Sequence, residues 1–550
     1  MAHDNGVGLR PILDVARDLD LTPEFLEPYG RDKAKVRLEA LDRLGRGPGK
    51  LILVSAITPT PAGEGKTTTS IGLAQGLRRL GKRTALALRQ PSMGPVFGRK
   101  GGATGGGASK VEPSNTINLQ FTGDFHAITS AHNLLAAAID NRIHFRDFHL
   151  DPTKILWKRV LDMNDRALRH IVIGLGGRPQ GIPRESGFEI TAASEVMAIL
   201  CLADSRSDLR ARLERILIGF HMDGSPVLAR DLGVVGSMAA ILNEAILPNL
   251  VQTTESVPTF IHGGPFANIA HGCNSVLATR MALNLADYAV TEAGFAFDLG
   301  GEKFFDLKCR AAGFNPDVVV LVATIRALKI HGGVALGETQ VPNPSAVERG
   351  LANLAAHLES SAFFGKPTLV ALNQFATDTA EELSIVHAFC RDRGVLSSTA
   401  DVYGSGGRGA IDLAEKVVEA AATDPTPLRL LYPLDWPAEK KIEEIARVMY
   451  GAAGVSIQQE AENKLRKFRR LGYGNLPICM AKTQDSLSDN PKLRGRPRGF
   501  TLHVRDVEIA AGAGFLIALT GEIMRMPGLP EHPAAERIDV DAAGNIIGLS

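Results

Sequence analysis

The chain has 550 residues, so at roughly 150 residues per domain we expect three or four domains. Hydrophobic residues make up 45% of the chain and charged residues 22%, which is typical of a globular protein and excludes a disordered or fibrous one. The 61 Lys and Arg residues nearly balance the 60 Asp and Glu residues, and the net charge is +1. This balance argues against nucleic acid or a membrane as the main partner.

The cysteine pattern indicates the redox state of the compartment in which the protein works. Five of them are scattered along the chain without a CxxC pair, which predicts neither a disulfide framework nor a zinc site. The first residues lack a signal-peptide pattern, and no apolar run reaches the roughly 18 residues that span a bilayer. We therefore expect a cytoplasmic protein in a reducing compartment.

A βαβ unit is the first clear element. Residues 10–48 are expected to form helices separated by Pro and Gly. The apolar run Leu51–Ile57 predicts a buried parallel strand, and Lys66–Leu80 predicts a helix that ends at Gly81. A second strand at Thr84–Leu88 completes the unit.

The loop between this strand and helix resembles a phosphate-binding loop. It reads Thr60-Pro61-Ala62-Gly63-Glu64-Gly65-Lys66-Thr67, a Walker A pattern with Thr60 in place of the first glycine. We predict that all eight residues bind a nucleotide: backbone N–H groups hold phosphate oxygens, Lys66 reaches the β- and γ-phosphates, and the Thr67 hydroxyl ligates Mg²⁺. An ordinary glycine turn is the alternative.

Arg89 ends the second strand beside this loop. A guanidinium group there could hold an anion next to the γ-phosphate or stabilise charge during phosphoryl transfer, and a surface salt bridge is the alternative. Seven glycines follow between Gly94 and Gly107, with Arg99 and Lys100 among them. They predict a segment that wraps a ligand or, alternatively, a flexible linker.

Two later segments carry groups able to bind Mg²⁺ or to move protons. They are residues 121–126 with His132 and Asn133, and residues 262–265 with Asn268, His271 and Asn274. Helix caps and core partners are the alternatives for both segments.

Five further apolar runs predict strands of the same sheet, at Ile171–Ile173, Thr259–Ile261, Tyr288–Val290, Val318–Val322 and Thr368–Leu372. A polar or glycine-rich turn follows each of them. Because ligands bind at the carboxyl ends of strands in open α/β sheets, we expect these turns to line one functional rim.

Beyond about residue 450 the pattern changes. A helix is predicted over residues 456–472, and shorter strands are predicted at Thr501–Asp506, Glu508–Ala511 and Phe515–Thr520. These elements predict a small separate C-terminal domain. From the residues alone, the chain is an α/β enzyme that uses ATP or GTP, with an acceptor substrate that the patterns leave open.

From about residue 50 onward, the sequence resembles the formate–tetrahydrofolate ligase family. The stretches that carry the resemblance are Thr58–Thr69, Phe121–Asp124, Gly264–Gly272, Thr291–Phe295, Lys482–Gln484 and Met526–Pro530. The resemblance implies a large P-loop domain with a mostly parallel sheet flanked by helices, and two smaller sheet-containing domains. In this chain we expect a nucleotide-binding domain at 1–345, an α/β domain with the folate site at 346–455 and a small α+β domain at 456–550.

The resemblance also implies an activity in one-carbon metabolism. Formate would be joined to N10 of tetrahydrofolate at the expense of ATP, through formyl phosphate, giving 10-formyltetrahydrofolate, ADP and phosphate. Mg²⁺, a monovalent cation (K⁺ or NH₄⁺) and a homotetramer are implied as well.

The roles that the resemblance implies can be placed on residues of this sequence. Lys66, Arg89 and Asp124 would be catalytic, with Arg89 holding formyl phosphate, and Gln90, Phe375 and Tyr403 would bind folate. Three positions depart from the family pattern: Gln90 stands where Glu is expected, Ala376 where Pro is common, and Tyr403 where Trp is expected. Tyr403 can still stack on a pterin opposite Phe375.

Two other functions remain open. A P-loop ATPase switch that partners other proteins has a similar loop, although such chains are usually shorter. A paralogue that binds nucleotide or folate without turnover is the second, and the retention of Lys66, Thr67 and Arg89 argues against it.

Overall fold

A computed structural model describes residues 8–43, 47–61, 63–145, 149–423, 426–521 and 523–549. The strands of the first half are β1 (Leu26–Pro28), β2 (Ala34–Val36), β3 (Lys50–Ala56), β4 (Thr84–Leu88), β5 (Gly105–Gly106), β6 (Ser109–Glu112), β7 (Arg159–Leu161), β8 (Ile171–Ile173), β9 (Arg184–Ser186), β10 (Phe188–Ile190), β11 (Leu217–Phe220) and β12 (Pro226–Leu228). Those of the second half are β13 (Asn249–Thr253), β14 (Pro258–Ile261), β15 (Tyr288–Glu292), β16 (Val318–Ala323), β17 (Thr368–Asn373), β18 (Leu396–Ala400), β19 (Gly454–Ile457), β20 (Ile478–Ala481), β21 (Thr501–Ala510), β22 (Phe515–Thr520), β23 (Asp539–Val540) and β24 (Ile546–Ile547).

Helices alternate with these strands. The first are α1 (Ile12–Arg17), α2 (Glu39–Arg43), α3 (Lys66–Arg79), α4 (Met93–Pro95), α5 (Ser114–Asn118), α6 (Asp124–Phe145), α7 (Glu195–Leu202), α8 (Arg206–Glu214) and α9 (Val235–Ile241). The others are α10 (Val276–Leu285), α11 (Arg310–Ala312), α12 (Ile325–His331), α13 (Pro344–Phe363), α14 (Ala380–Arg391), α15 (Val402–Ser405), α16 (Ile411–Ala421), α17 (Ala438–Ile445) and α18 (Gln459–Arg470).

The main sheet has the order β1-β2-β13-β14-β4-β15-β3-β16-β17-β18, and β5 and β6 bring it to twelve strands within the described residues. From β14 to β18 every neighbouring pair is parallel. Each of these strands needs a crossover connection, which the intervening helices supply. The predicted α/β class with a large, mostly parallel sheet is therefore confirmed.

The apolar runs form strands because both faces of the sheet are covered. Successive side chains of β3 point to opposite faces, so Leu51 and Leu53 pack in one hydrophobic cluster while Ile52 and Val54 pack in another. The first cluster contains residues of α13, and the second contains residues of α3 and α16. The core thus lies on both sides of the sheet.

Two predictions about strands are wrong. Ile171–Ile173 does form a strand, but β8 pairs antiparallel with β9 and lies outside the main sheet, so its turn does not join the expected rim. Residues 10–48 form β1 and β2 in addition to helices. In both places the strand is only three residues long, too short for periodicity to show its partners.

The C-terminal part has its own sheet, in the order β19-β21-β22-β20. The two strands predicted at 501–506 and 508–511 form the single strand β21, with a bulge between Val504 and Asp506. The expected domain boundary at residues 345 and 346 falls between β16 and β17, which are neighbours in the main sheet. No helix among the described residues is both long enough and apolar enough to cross a membrane.

Candidate active site

Three adjacent strands of the main sheet place their carboxyl ends side by side. The phosphate loop follows β3, Arg89 follows β4, and Glu292 is the last residue of β15, which lies between them. In the register of the sheet, Glu292 is level with Val54 of β3, and Thr291 is level with Ala87 of β4. The sheet order alone therefore brings these groups to one edge.

The phosphate loop has the backbone of an anion-binding turn. Gly63 and Gly65 have φ angles of 73° and 69°, which side chains other than glycine rarely tolerate, and α3 begins at Lys66. Asn373, at the end of β17, donates through Nδ2 to the carbonyl oxygen of Glu64 at 3.0 Å. A Cβ atom at Gly65 would collide with this amide, so Asn373 supports the loop and also requires glycine there. Ala62 lies outside the described residues.

Glu64 folds back onto the start of the loop. Its Oε1 accepts a hydrogen bond from the backbone N–H of Thr60 at 2.7 Å, and burial raises the pKa of the carboxyl from 4.5 to about 7. The side chain thus stabilises the bend of the loop and, because it is buried, favours the protonated form.

This shift predicts a pH-dependent stability. Between pH 4.5 and about 7 the folded protein keeps a proton on Glu64 that the unfolded chain has lost, so stability falls as the pH rises through that interval. We expect Glu64→Gln to remove up to about 3 kcal/mol of this decline. Urea unfolding of both proteins at about pH 5 and about pH 8 measures it. The exposed Glu381→Gln is the matched control, and equal declines in the wild type and Glu64→Gln would contradict the role of Glu64.

Lys66 and Thr67 contact the end of β15 and the segment that follows it. Lys66 donates through Nζ to the carbonyl oxygen of Phe295 at 3.2 Å, and the Thr67 hydroxyl donates to Oε2 of Glu292 at 2.9 Å. Phe295 has a φ of 56°, a strained conformation for a residue with a side chain. Strained residues of this kind are concentrated at positions where one backbone atom must be placed accurately. Here that atom is the Phe295 carbonyl oxygen, which accepts the hydrogen bond of Lys66.

Arg89 is held on two sides. It donates through Nη1 to the carbonyl oxygen of Pro265 at 3.3 Å, and its Nη2 lies 3.7 Å from Oε1 of Glu292. Its Nε is buried and has no hydrogen-bond partner among the described residues. A Cβ atom at Gly294 would approach the guanidinium group closely, so glycine makes room for Arg89. An unpaired buried donor on a cation is suited to an anionic ligand.

A cavity of about 510 Å³ joins these groups. Its lining includes Lys66, Thr67, Arg89, Gln90 and Glu292. The turn after β14 contributes residues 264 and 266–269, and the C-terminal part contributes Gln484, Met524 and Pro527. Gly102, Ala103 and Gly105 also face it, so the glycine-rich segment lies against the cavity. The volume is that of a site for a small-molecule substrate.

Of the three residues predicted to bind folate, one lines the described cavity and two do not. Gln90 lines the cavity, and its buried Oε1 has no partner among the described residues. Phe375 and Tyr403 do not belong to the described lining. The guanidinium group of Arg326 lies 4.0 Å from the centre of the Phe375 ring and covers one of its faces. Tyr403 is 62% exposed and lies beside Gly106 and Gly107.

Asp124, predicted to be catalytic, is not brought to the cavity. It begins α6 and is buried, with Oδ1 2.7 Å from Nζ of Lys35 and Oδ2 accepting from Nδ2 of Asn249 at 2.7 Å. Both oxygens have internal partners, so the contacts are those of a structural ion pair. Thr60 and Pro61 also lie outside the described lining.

Three of the predicted histidines, His132, His262 and His271, are buried inside the protein, whereas His126 is exposed. Burial lowers the pKa of His132 and of His262 to about 4, and that of His271 to about 3. His262 donates through Nε2 to the carbonyl oxygen of Ala245 at 2.6 Å. These contacts match the structural alternative for His262. In the described residues, no group of three or more His, Cys, Asp or Glu side chains could hold a metal ion.

Glu292 is a site residue to which the sequence alone gave no role. The sequence does contain an indication of one, because a carboxylate at the end of an otherwise apolar strand is costly to bury without a partner. What the sequence did not show is that β15 lies between β4 and β3.

A comparison with known protein families found a match to this chain. The sequence model of the family described as formate–tetrahydrofolate ligase matches residues 3–550, essentially the whole chain.

Proposed function

The chain belongs to the formate–tetrahydrofolate ligase family, and we propose that the cavity at the end of β3, β15 and β4 performs the reaction in two steps through formyl phosphate. The family match makes the chain a ligase that acts on formate and tetrahydrofolate, and it implies ATP as the third substrate. The observation that carries the two-step proposal is that Lys66, Thr67 and Arg89 line one cavity.

Formate needs activation because its oxygen is a poor leaving group. In the first step a formate oxygen attacks the γ-phosphorus of ATP, the bond to the β-phosphate oxygen breaks, and ADP leaves. In the second step N10 of tetrahydrofolate attacks the formyl carbon, phosphate leaves, and N10 loses its proton. Both transition states carry negative charge on phosphate oxygens, which fixed cations stabilise.

The cationic residues fit these two steps. Lys66 is placed at the start of α3, where the backbone N–H groups and the helix dipole also favour phosphate. Arg89 is held beside the loop, and its planar fork suits an acyl phosphate or a carboxylate. We assign Lys66 to the transferring phosphoryl group and Arg89 to formate and formyl phosphate.

The donor set at Thr67 fits Mg²⁺. The hydroxyl donates a hydrogen bond to Glu292, which leaves the oxygen lone pairs for a cation, and the nearby carboxylate supplies negative charge. Hydroxyl and carboxylate oxygens are ligands that Mg²⁺ prefers. When bound, the ion would neutralise charge on the phosphate oxygens. For the monovalent cation, the described residues show no comparable cluster of His, Cys, Asp and Glu side chains, and we derive no step through it.

We place the pterin ring beside Phe375 and Tyr403, with Gln90 as a polar contact at the cavity. Because Arg326 covers one face of Phe375, only the other face is open to a flat ring. Tyr403 is exposed, which suits a side chain that a ligand covers.

Phe375→Ala is expected to raise the KM for tetrahydrofolate by roughly 5- to 100-fold, because a stacked aromatic ring contributes about 1 to 3 kcal/mol to a flat heterocycle. The KM for ATP is expected to stay within about twofold. Steady-state kinetics with each substrate varied in turn measures both. Phe389→Ala, which also removes a ring stacked on an arginine, is the matched control, and equal changes in both KM values for Phe375→Ala would mean that the ring only packs.

We also propose a cytoplasmic homotetramer. The resemblance to the family supports the tetramer, and light scattering of the purified protein tests it. All five cysteines are free and buried, which is compatible with a reducing compartment.

A P-loop ATPase switch is the competing function, and ADP formation separates the two. Sustained ADP formation should require both formate and tetrahydrofolate, with 10-formyltetrahydrofolate formed in equal amount, whereas formate alone should support no more than a single turnover. Sustained ADP formation with either substrate omitted would favour the ATPase.

A further inference from the structure

Glu292 occupies the position between the two parts of the proposed site. It ends β15, and the neighbouring strands lead into the phosphate loop on one side and Arg89 on the other. No other strand end of the main sheet lies between these two, because β15 separates β3 from β4 along the described sheet.

The two carboxylate oxygens of Glu292 face different partners. Oε2 accepts the hydrogen bond of the Thr67 hydroxyl at 2.9 Å, and Oε1 lies 3.7 Å from Nη2 of Arg89. Only 5% of the side chain is exposed. A buried carboxylate is tolerated when it is paired and hydrogen-bonded. Thr67 and Arg89 compensate the buried charge of Glu292, and this attraction keeps both side chains in place.

We propose that Glu292 is a positioning residue that couples the nucleotide part of the site to the part that holds formate and formyl phosphate. Its Oε2 orients the Thr67 hydroxyl so that the oxygen lone pairs face a cation, and its Oε1 fixes the side of the Arg89 fork that does not bind substrate. The Nε of Arg89 is buried and has no partner in the described residues, so Glu292 and the Pro265 carbonyl oxygen are the groups that set the orientation of the guanidinium group. This inference rests on the proposed function.

The segment that follows Glu292 strengthens the connection. Three residues further on, the carbonyl oxygen of Phe295 accepts a hydrogen bond from Lys66, and Phe295 holds a left-handed backbone to present it. Between them, Gly294 leaves the space that Arg89 fills. One short segment therefore contacts Lys66, Thr67 and Arg89.

Glu292→Gln tests the proposal, because the amide keeps the size of the side chain and one acceptor oxygen but loses the charge. The first measurement is the dissociation constant of ADP by calorimetry, with and without Mg²⁺. We expect the strengthening that Mg²⁺ gives to fall by about tenfold, while binding without Mg²⁺ changes less than about threefold. This measurement needs no turnover, so it remains valid if the proposed ligase reaction fails.

The second measurement is steady-state kinetics. We expect the KM for formate to rise by about tenfold, because Arg89 loses its support, and the KM for tetrahydrofolate to change less than about twofold, because Glu292 holds no residue proposed to contact folate. Glu292→Asp keeps the charge and should recover most of the Mg²⁺ effect on ADP binding. Glu195→Gln is the matched control, since the half-buried Glu195 carboxylate also accepts internal hydrogen bonds but lies outside the lining of this cavity.

Two results would overturn the coupling. If Glu292→Gln leaves both the Mg²⁺ effect and the KM for formate unchanged, the carboxylate does not position either partner. If both KM values and ADP binding without Mg²⁺ worsen equally, Glu292 only supports the fold. Should Glu292→Gln fail to fold, Glu292→Asp alone is compared with the wild type: its shorter side chain cannot reach both partners, so the KM for formate should still rise while most of the Mg²⁺ effect on ADP binding is kept, and an unchanged KM for formate would contradict the coupling.

Discussion

Lys66→Ala should lower the rate of 10-formyltetrahydrofolate formation by a factor on the order of 10² to 10⁴ while the protein remains folded. The ammonium group stands at the N-terminus of α3, where it would compensate the charge that develops as the phosphoryl group moves from ATP to formate. In the structure this group donates a hydrogen bond to the Phe295 carbonyl oxygen at 3.2 Å. Single-turnover measurement of ADP and product formation gives the rate of the chemical step.

The fold of this variant is checked by thermal unfolding. Lys492→Ala serves as the matched control, because Lys492 is an exposed lysine outside the lining of the cavity, and it should leave the rate unchanged. Turnover of Lys66→Ala at the wild-type rate would remove the phosphate loop from the mechanism.

The βαβ opening could be predicted because its information is local. The apolar run of β3, the glycines of the loop and the helix that follows Lys66 are adjacent in the sequence, and each agrees with the others. The expected strand at 51–57 and helix at 66–80 are observed at Lys50–Ala56 and Lys66–Arg79. A phosphate loop of this kind can be predicted from a dozen consecutive residues.

The strand order could not be predicted in the same way. β15 is separated from β3 by more than 230 residues, and it inserts between β3 and β4, which are consecutive in the βαβ unit. An apolar run such as Tyr288–Val290 shows that a strand is buried but not which neighbours it has. The position of Glu292 between the phosphate loop and Arg89 follows from that order. The sequence therefore predicted a functional rim at the strand ends but not the residue that connects the two parts of the site.

Asp124 illustrates the opposite difficulty. In the sequence it stands among His, Thr and Gly, a composition that suits catalysis as well as a helix start. Its partners Lys35 and Asn249 are 89 and 125 residues away, on β2 and β13. A buried ion pair between distant segments leaves no local pattern, so only the fold shows that both oxygens are already hydrogen-bonded.

The expected result with the greatest power to separate the two chemical steps concerns Arg89. Arg89→Ala is expected to lower ligation by a factor on the order of 10³ or more while the affinity for ATP changes less than about threefold. In the proposed site the nucleotide would contact the predicted phosphate loop, whereas Arg89 is held by Pro265 and Glu292 at the other side of β15. Calorimetry with ATP and a ligation assay measure the two quantities.

Arg89→Lys sharpens this test because it keeps the charge and loses the planar fork. A lysine ammonium group cannot contact the Pro265 carbonyl oxygen, the Glu292 carboxylate and a substrate anion in one plane, so we expect it to recover less than about a tenth of the lost ligation rate. Arg37→Ala, at an exposed ion pair with Glu27, is the matched control and should change neither quantity. If Arg89→Ala and Arg89→Lys both ligate at close to the wild-type rate, Arg89 does not hold formyl phosphate. Lys66 would then be the one cationic side chain of the described lining left to hold the anion, because the other side-chain donors there, such as Gln90, Asn268 and Gln484, carry no charge.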